Sequence, residues 1–341
     1  MAQASATVKA AAARLTGGGG GSRTFEIAAK GLSVRGKEMK WFGLWLLPAA
    51  LLVAQPALAA KQAPSPAPVQ AYQPKPGLWL LADEDTKIYL FGTIHLLAPG
   101  FKWRSPALDK AAAEADELVV ETHEEPGADR SDVYLRAALL ETPKPLLERV
   151  PVEHWAKLGL TFERLGIPLE NVATMRTWMV AVLLGFAQEL ERWGVETIEQ
   201  APGVEVALEA QFSHAGKPIS SVETPEAGLA AFDALSDADE VKLLLNTLAE
   251  GNKEQDAAMS SDDLWAQGRY EEAYARDIAE LPPVLFDGLV VKRNAAWVNW
   301  LKARLDKPGT VLFAVGAAHL AGPQSVQKML ADRGLEAKRV D

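Results

Sequence analysis

Two stretches near opposite ends of the chain repeat one design. Lys87–His95 reads KIYLFGTIH, and Thr310–His319 reads TVLFAVGAAH. Each is a short apolar run, the pattern of a strand buried on both faces. Each run breaks at a glycine and presents a histidine three residues beyond it. The likeness continues past the histidine, where LFGTIHLLAPG parallels VGAAHLAGP. Each copy then crosses a Gly/Pro loop into a candidate helix, Pro106–Ala115 in the first and Pro323–Arg333 in the second. Strands of this kind call for a parallel sheet covered by helices. Ligands of such sheets bind outside the carboxyl ends of the strands. Two histidines placed just past two strand ends converge on that edge if the strands are brought together. The glycine lets the backbone turn sharply off the strand while staying close to the site.

The rest of the chain fits the same reading. Leu78–Ala82 and Lys87–Phe91, separated by Asp83-Glu84-Asp85-Thr86, make a hairpin pattern whose acidic triplet is a turn tip. ELVVE at Glu117–Glu121 is a further strand that ends on a glutamate. With the helix before it, this completes a β-helix-β unit, which places Glu121 on the same edge as His95. From Val133 to about Lys307 the pattern is mostly helical, including Pro151–Leu165, Pro168–Trp193, Gly203–Phe212 and Phe286–Arg304. Trp178–Ala187 is apolar all round but too short to span a bilayer, so it reads as a core helix. Pro218–Glu223 and Glu336–Val340 are short strands. The expected architecture is α/β: a central mixed or parallel sheet flanked by helices, spanning 77–341. A large helical insertion or cap, at about 133–307, separates the two strand–Gly-x-x-His halves.

The first residues read as processing rather than fold. Met39-Lys40 precedes the apolar run Trp41–Val53, and Ala57-Leu58-Ala59 fits a small-residue cleavage site. That order is a secretory signal at 39–59, cleaved after about Ala59. Residues 1–38, with five consecutive glycines, read as a disordered or mis-assigned leader, which leaves the true start open. Residues 60–76, rich in Pro and Ala, read as a linker. The implied location is periplasmic or secreted, in a Gram-negative bacterium, with no stable membrane span after cleavage. Residues 60–341 hold 28 Lys and Arg against 43 Asp and Glu, a surface that repels nucleic acid. There is no cysteine, which excludes disulfides, thiolate nucleophiles and iron–sulfur clusters. A Gly-x-Ser-x-Gly elbow, a phosphate-binding loop and a His-Glu-x-x-His helix are absent too.

What remains for chemistry is histidine and carboxylate. Neutral imidazoles with a carboxylate make the usual hydrolytic metal site, with one position left for water. His95, Glu121 and His319 fit that donor list. Spacing alone shows that three ligand types can meet, since a single Gly-x-x-His is commonplace and a lone histidine is ordinarily structural. Arg293 reads either as a helix-surface residue or as a planar fork that steadies an oxyanion or a carboxylate. Glu205 and Glu223 read either as partners of the ligands or as solvated element ends. Trp103, in the loop after His95, is a candidate for stacking on substrate.

These residues together resemble the TraB/GumN family, whose animal relatives are the Tiki proteins, described as metal-dependent proteases. The family pattern is two Gly-x-x-His motifs, a glutamate ending an intervening strand, and a late Arg-Asn followed by tryptophan. Here these are Gly92–His95, Gly316–His319, Glu121, and Arg293-Asn294 with Trp297. Gly203-Val204-Glu205, Gly216-Lys217-Pro218 and Val222-Glu223-Thr224 extend the likeness over roughly 75–340, with glutamate at 205 where the family often has aspartate. The resemblance implies a metal centre on His95, Glu121 and His319, with Arg293 nearby as a catalytic residue. It implies divalent zinc, manganese or cobalt, and a peptide or protein substrate. Glu121 is then a ligand or the general base. One departure stands out: His123 occupies a place that is commonly acidic. It reads as an exposed loop histidine, with an extra ligand as the alternative. His154 and His214 have no assigned role. The expected function is an exported metal-dependent hydrolase acting on peptide bonds. The alternative is a non-catalytic periplasmic protein that binds or sequesters a peptide, a polysaccharide-related ligand or a haem-like ligand.

Overall fold

The computed structural model describes residues 70–123, 131–253, 259–278 and 281–341. The leader expected at 1–38, the export signal at 39–59 and most of the linker at 60–76 lie outside the described residues. Six described strands form one sheet: β1 (Leu78–Ala82), β2 (Thr86–Thr93), β3 (Glu117–Val120), β4 (Ile219–Ser221), β5 (Gly309–Gly316) and β6 (Lys338–Arg339). Their order is β4-β3-β5-β2-β1-β6. β4, β3, β5 and β2 run parallel, while β1 pairs antiparallel with β2 and β6. The mixed sheet flanked by helices is the α/β fold expected from the apolar runs. Burial explains the composition of its centre. Ile88–Phe91 and Val311–Val315 are buried at every position, because both faces of these strands are covered.

The helices are α1 (Pro106–Glu114), α2 (Ser131–Ala138), α3 (Trp155–Arg164), α4 (Thr177–Trp193), α5 (Val204–His214), α6 (Pro225–Asp233), α7 (Asp237–Lys253), α8 (Ser261–Ala266), α9 (Tyr270–Asp277), α10 (Pro283–Phe286), α11 (Arg293–Arg304) and α12 (Val326–Ala331). Local chemistry sets several ends. α1 starts where the Ser105 hydroxyl accepts the Leu108 N–H and Pro106 fills the first turn. At its other end the Lys217 ammonium donates to the carbonyls of Ala112, Ala113 and Ala115, three acceptors the helix leaves over. α4 stops at Gly194, whose φ of 67° closes the helix through a left-handed turn.

Two large hydrophobic cores divide the helices, and a small third cluster joins Leu96, Leu190, Ile198 and Ala201. The sheet core takes in α1, α5, α8, α9, α11 and α12 through residues such as Leu108, Phe212, Trp265, Tyr270, Trp297 and Leu330. A separate helical core joins α2, α3, α4, α6, α7 and α10 through Phe162, Trp178, Phe232 and Leu244. Trp178 stacks on Phe232 with ring centroids 4.3 Å apart. The apolar Trp178–Ala187 stretch thus lies in α4, which with α7 is one of the two 17-residue helices of this second core. Among the described residues no helix is long and apolar enough to cross a membrane.

Several expected helices are shorter than their sequence pattern: α3 begins at Trp155 after a 3-10 turn at Val152–His154, and α11 at Arg293 after a π-helical stretch at Asp287–Lys292. The run expected from Pro168 breaks after a single turn at Leu169–Val172, and α4 begins only at Thr177. Between them the backbone bonds to α2's end instead, with Leu140 N–H donating to Thr174 O and Arg176 N–H to Ala138 O. The helix after His319 begins at Val326 rather than Pro323, with Ser325 in extended conformation (φ −64°, ψ 153°) as its N-cap.

The first Gly-x-x-His glycine is needed for packing as well as for its turn. A Cβ on Gly92 would lie 2.7 Å from the Tyr270 ring and 2.9 Å from the Ala317 backbone. Trp265 Nε1 donates to the Gly92 carbonyl at 3.0 Å, which fixes the strand end against α8. Gly92→Ala is therefore expected to lower stability by about 1–3 kcal/mol, the usual cost of overpacking a filled interior. A urea midpoint equal to that of the unaltered protein would show that this approach is not as close as described.

Candidate active site

The parallel register brings the two Gly-x-x-His turns together. β2 and β5 are neighbours, with Gly92 opposite Val315 and Thr93 opposite Gly316. β3 lies on the other side of β5, and Glu121 follows its last residue. His95, Glu121 and His319 therefore all leave the sheet at one edge.

The state of His319 follows from a carbonyl on the far side of Asn294. Asn294 Nδ2 lies 2.7 Å from Gln324 O and 3.3 Å from His319 O. Carbonyl oxygens only accept, so this side of the carboxamide is the NH₂ group. Asn294 Oδ1 then accepts from His319 Nδ1 at 2.6 Å, which puts the ring proton on Nδ1 and the lone pair on Nε2. Burial, reinforced by the Arg293 charge, pushes this imidazole down to about 3, so it stays neutral at physiological pH. Arg293 Nη1 donates toward the Nε2 lone pair at 3.3 Å.

Arg293 binds the carboxylates as well. Its Nη2 donates to Glu121 Oε2, and its Nε and Nη2 fork onto Glu223 at 3.0 and 2.7 Å. The Gly316 N–H donates to Glu121 Oε1 at 2.6 Å, and Oε1 lies 3.7 Å from His319 Nε2. Trp297 donates its indole N–H to Glu223 at 3.1 Å and sets its ring 4.8 Å from the guanidinium and 4.3 Å from the His319 ring. Burial is the largest single influence on Glu121 and would raise it, but the Arg293 charge, the neighbouring histidines and the Gly316 N–H together outweigh it and hold the carboxyl at about 2. At Glu223 burial prevails over Arg293 and the shift is upward. Arg293 opens α11 directly after a π-helical stretch, Asp287–Lys292, a distortion that often accompanies functional sites.

His95 is held from α5. Glu205 Oε1 lies 2.9 Å from its Nδ1 and also accepts from Thr93 Oγ1 at 2.5 Å. The Glu205 charge pushes the imidazole up, although 48% of the side chain is open to solvent. The loop and helix are joined through backbone: Val204 N–H donates to Ile94 O at 2.9 Å, and a Cβ on Gly203 would sit 2.1 Å from His95 O. Glu121 and His319 both feel the His95 charge.

His123 is not the exposed loop residue expected from sequence. Its Nδ1 lies 3.0 Å from Glu209 Oε1, and its side chain is 16% exposed. Glu209 is one helical turn beyond Glu205, so α5 offers two carboxylates, the second fully buried, to two histidines of one sheet edge. Burial raises Glu209, with His123 opposing. That one-turn spacing was the signal in the sequence for this second pair. Asn294 was visible only as part of the Arg-Asn dipeptide, with nothing to mark its hold on His319. Trp103 packs on Phe91 in the sheet core, with ring centroids 6.4 Å apart, and Arg104 lies over its ring. His214 ends α5, and His154 precedes α3.

The residue types here, imidazole and carboxylate, are ones that can bind divalent ions. Both Gly-x-x-His rings are gripped at Nδ1 by an oxygen on a helix, which leaves Nε2 as the donor atom, the arrangement that steadies histidine ligands. Glu121 is an ionised carboxylate beside them. The spacing is that of an arginine-bridged cluster. Among the described residues no three His, Asp or Glu side chains lie close enough together to hold one ion.

A sequence profile described as the TraB/PrgY/gumN family matches residues 77–339, and the chain belongs to that family. Two curated relatives, from Escherichia coli (strain K12) and Shigella flexneri, are each described as uncharacterized protein YbaP. Each is 26% identical to this chain over 242 residues, covering 71% of this chain and 87% of the relative. No solved structure matches.

Asn294→Ala removes the group that sets the His319 tautomer and strands the Gln324 carbonyl. The expected result is a stability loss of roughly 1–3 kcal/mol. It should come with a shift from a single Nδ1–H form to mixed tautomers in ¹⁵N imidazole spectra. A variant that keeps one tautomer and full stability would remove Asn294 from this role.

Proposed function

We propose that this protein is an exported, metal-dependent hydrolase that cleaves peptide bonds. One observation carries the reading: His95 and His319 are each anchored at Nδ1, by Glu205 and Asn294, at one sheet edge beside ionised Glu121. Such anchoring leaves each Nε2 available as a ligand atom. His95, His319 and Glu121 would hold the ion, and these donors suit Zn²⁺, Mn²⁺ or Co²⁺. When bound, such an ion supplies Lewis acidity and lowers the pKa of a water at the site.

The remaining roles belong to the chain itself. Glu121 is a ligand or the proton acceptor. Arg293 offers N–H groups and positive charge to an oxyanion on the scissile carbonyl, and Glu223 keeps its planar fork oriented. The peptide substrate comes from the family resemblance, and the acidic surface of residues 60–341 argues against nucleic acid. The signal expected at 39–59 supports a periplasmic location.

A second reading is favoured by Arg293. Its hydrogen bonds satisfy Glu121, Glu223 and His319 together, so the cluster is complete without an ion. This suits a protein that binds or sequesters a peptide, a polysaccharide-related or a haem-like ligand without turning it over.

Chelator-treated protein should take up about one zinc, manganese or cobalt ion and then cleave members of a peptide library. His95→Ala and His319→Ala should abolish cleavage. Glu205→Gln should weaken metal binding by roughly 10–100-fold, the usual cost of losing a partner behind a histidine ligand. Protein that takes up no metal, or cleavage that survives both alanine variants, would overturn the hydrolase reading. Peptide binding without turnover would favour the second reading.

A further inference from the structure

We infer that Glu271 is a positioning residue: from the exposed side of α9 it holds the loop after His319, while its neighbour Tyr270 wedges the turn before His95, so one helix fixes both rings in a common frame. The inference rests on the proposed role of those two histidines and adds a brace outside their cluster.

The brace begins at the first turn. Trp265, in α8, donates its indole N–H to the Gly92 carbonyl at 3.0 Å. Tyr270 opens α9 and is buried. Its ring lies 2.7 Å from where a Gly92 Cβ would stand, and its hydroxyl donates to Gly77 O at 3.3 Å. The Ala317 backbone, in the second Gly-x-x-His turn, closes on the same spot at 2.9 Å. Gly92 is thus gripped between α9 and the turn that carries His319.

The second turn is reached from the next positions of the same helix. Glu271 Oε2 accepts the Gly322 N–H at 3.0 Å, three residues beyond His319. Gly322 adopts φ 76°, a left-handed conformation that suits glycine. Tyr274 lies one turn past Tyr270, and its ring comes within 2.5 Å of where a Gly322 Cβ would stand. Tyr270 and Tyr274 therefore pack one glycine of each histidine segment, and Glu271 adds the hydrogen bond. Glu271 itself is exposed. Substitution at an exposed position changes global stability little, so the effect falls on the loop that the carboxylate holds. Misplacing a reacting group by about 1 Å can cost about 100-fold in rate.

The test uses the full chain with Glu271→Ala and Glu271→Gln. Alanine removes the acceptor, whereas glutamine keeps an oxygen that can take the Gly322 N–H. In Glu271→Ala the urea midpoint should hold, while the His319 Nδ1–H resonance in ¹⁵N imidazole spectra shifts and exchanges faster with solvent. Peptide cleavage should fall about tenfold or more through kcat, with KM unchanged. Glu271→Gln should match the unaltered protein in all of these. An alanine variant whose His319 resonance stays in place, whatever its urea midpoint, would overturn the inference. So would a glutamine variant as impaired as the alanine one, or a loss confined to KM, which would make Glu271 a substrate contact. One measurement needs no variant: the Gly322 amide of the unaltered protein should resist hydrogen exchange, and an unprotected amide would also overturn the assignment. If the unaltered protein cleaves no peptide, the hydrolase reading falls, and the His319 spectrum decides the role of Glu271 by itself.

Discussion

A carboxylate buried at the end of a strand must be met by positive charge, and in this protein Arg293 meets two. Glu121 and Glu223 come off neighbouring strands, β3 and β4, and would repel each other without a cation between them. A bare buried charge costs far more than any single packing contact contributes. The guanidinium therefore ties α11 to the sheet edge. The same residue turns one N–H toward His319, so the electrostatic balance of the fold and the state of the candidate ligand depend on one side chain.

The histidines are prepared in different ways. His319 is buried, neutral and locked into one tautomer by a carboxamide that is itself fixed by a backbone carbonyl. His95 is half open to water and leans on a carboxylate. The pair thus combines a rigid inner ring with an outer one facing solvent. An open side next to a fixed donor is what a site needs if ligands are to enter and leave.

Much of this was legible in the chain. The apolar runs at Ile88–Phe91 and Val311–Val315 are buried parallel strands because only a covered strand tolerates apolar residues at successive positions. The glycine-to-histidine spacing placed both rings past strand ends, and ELVVE put Glu121 there too. The remainder was not legible because it depends on contacts remote along the chain. Nothing local says that Arg176 will bond to Ala138 and shorten a helix. Nothing near His123 announces Glu209, whose spacing from Glu205 on α5 is the sole trace of the pair in the sequence. Arg293 looks like any arginine on an amphipathic helix until β3 and β4 bring their glutamates to it. Second partners of this kind are chosen by topology, and topology is where single-sequence reasoning is weakest.

The strand order has a consequence for how the molecule is made. β5 lies between β2 and β3, yet ribosomes produce it only after nearly all the helices. The two early strands cannot pair with each other in the finished arrangement, and each leaves the ribosome with an apolar flank awaiting a neighbour that does not yet exist. The nascent chain must keep those flanks from sticking to other molecules until its last portion slides in between. The step that inserts β5 is also the step that first brings the two Gly-x-x-His turns to one sheet edge.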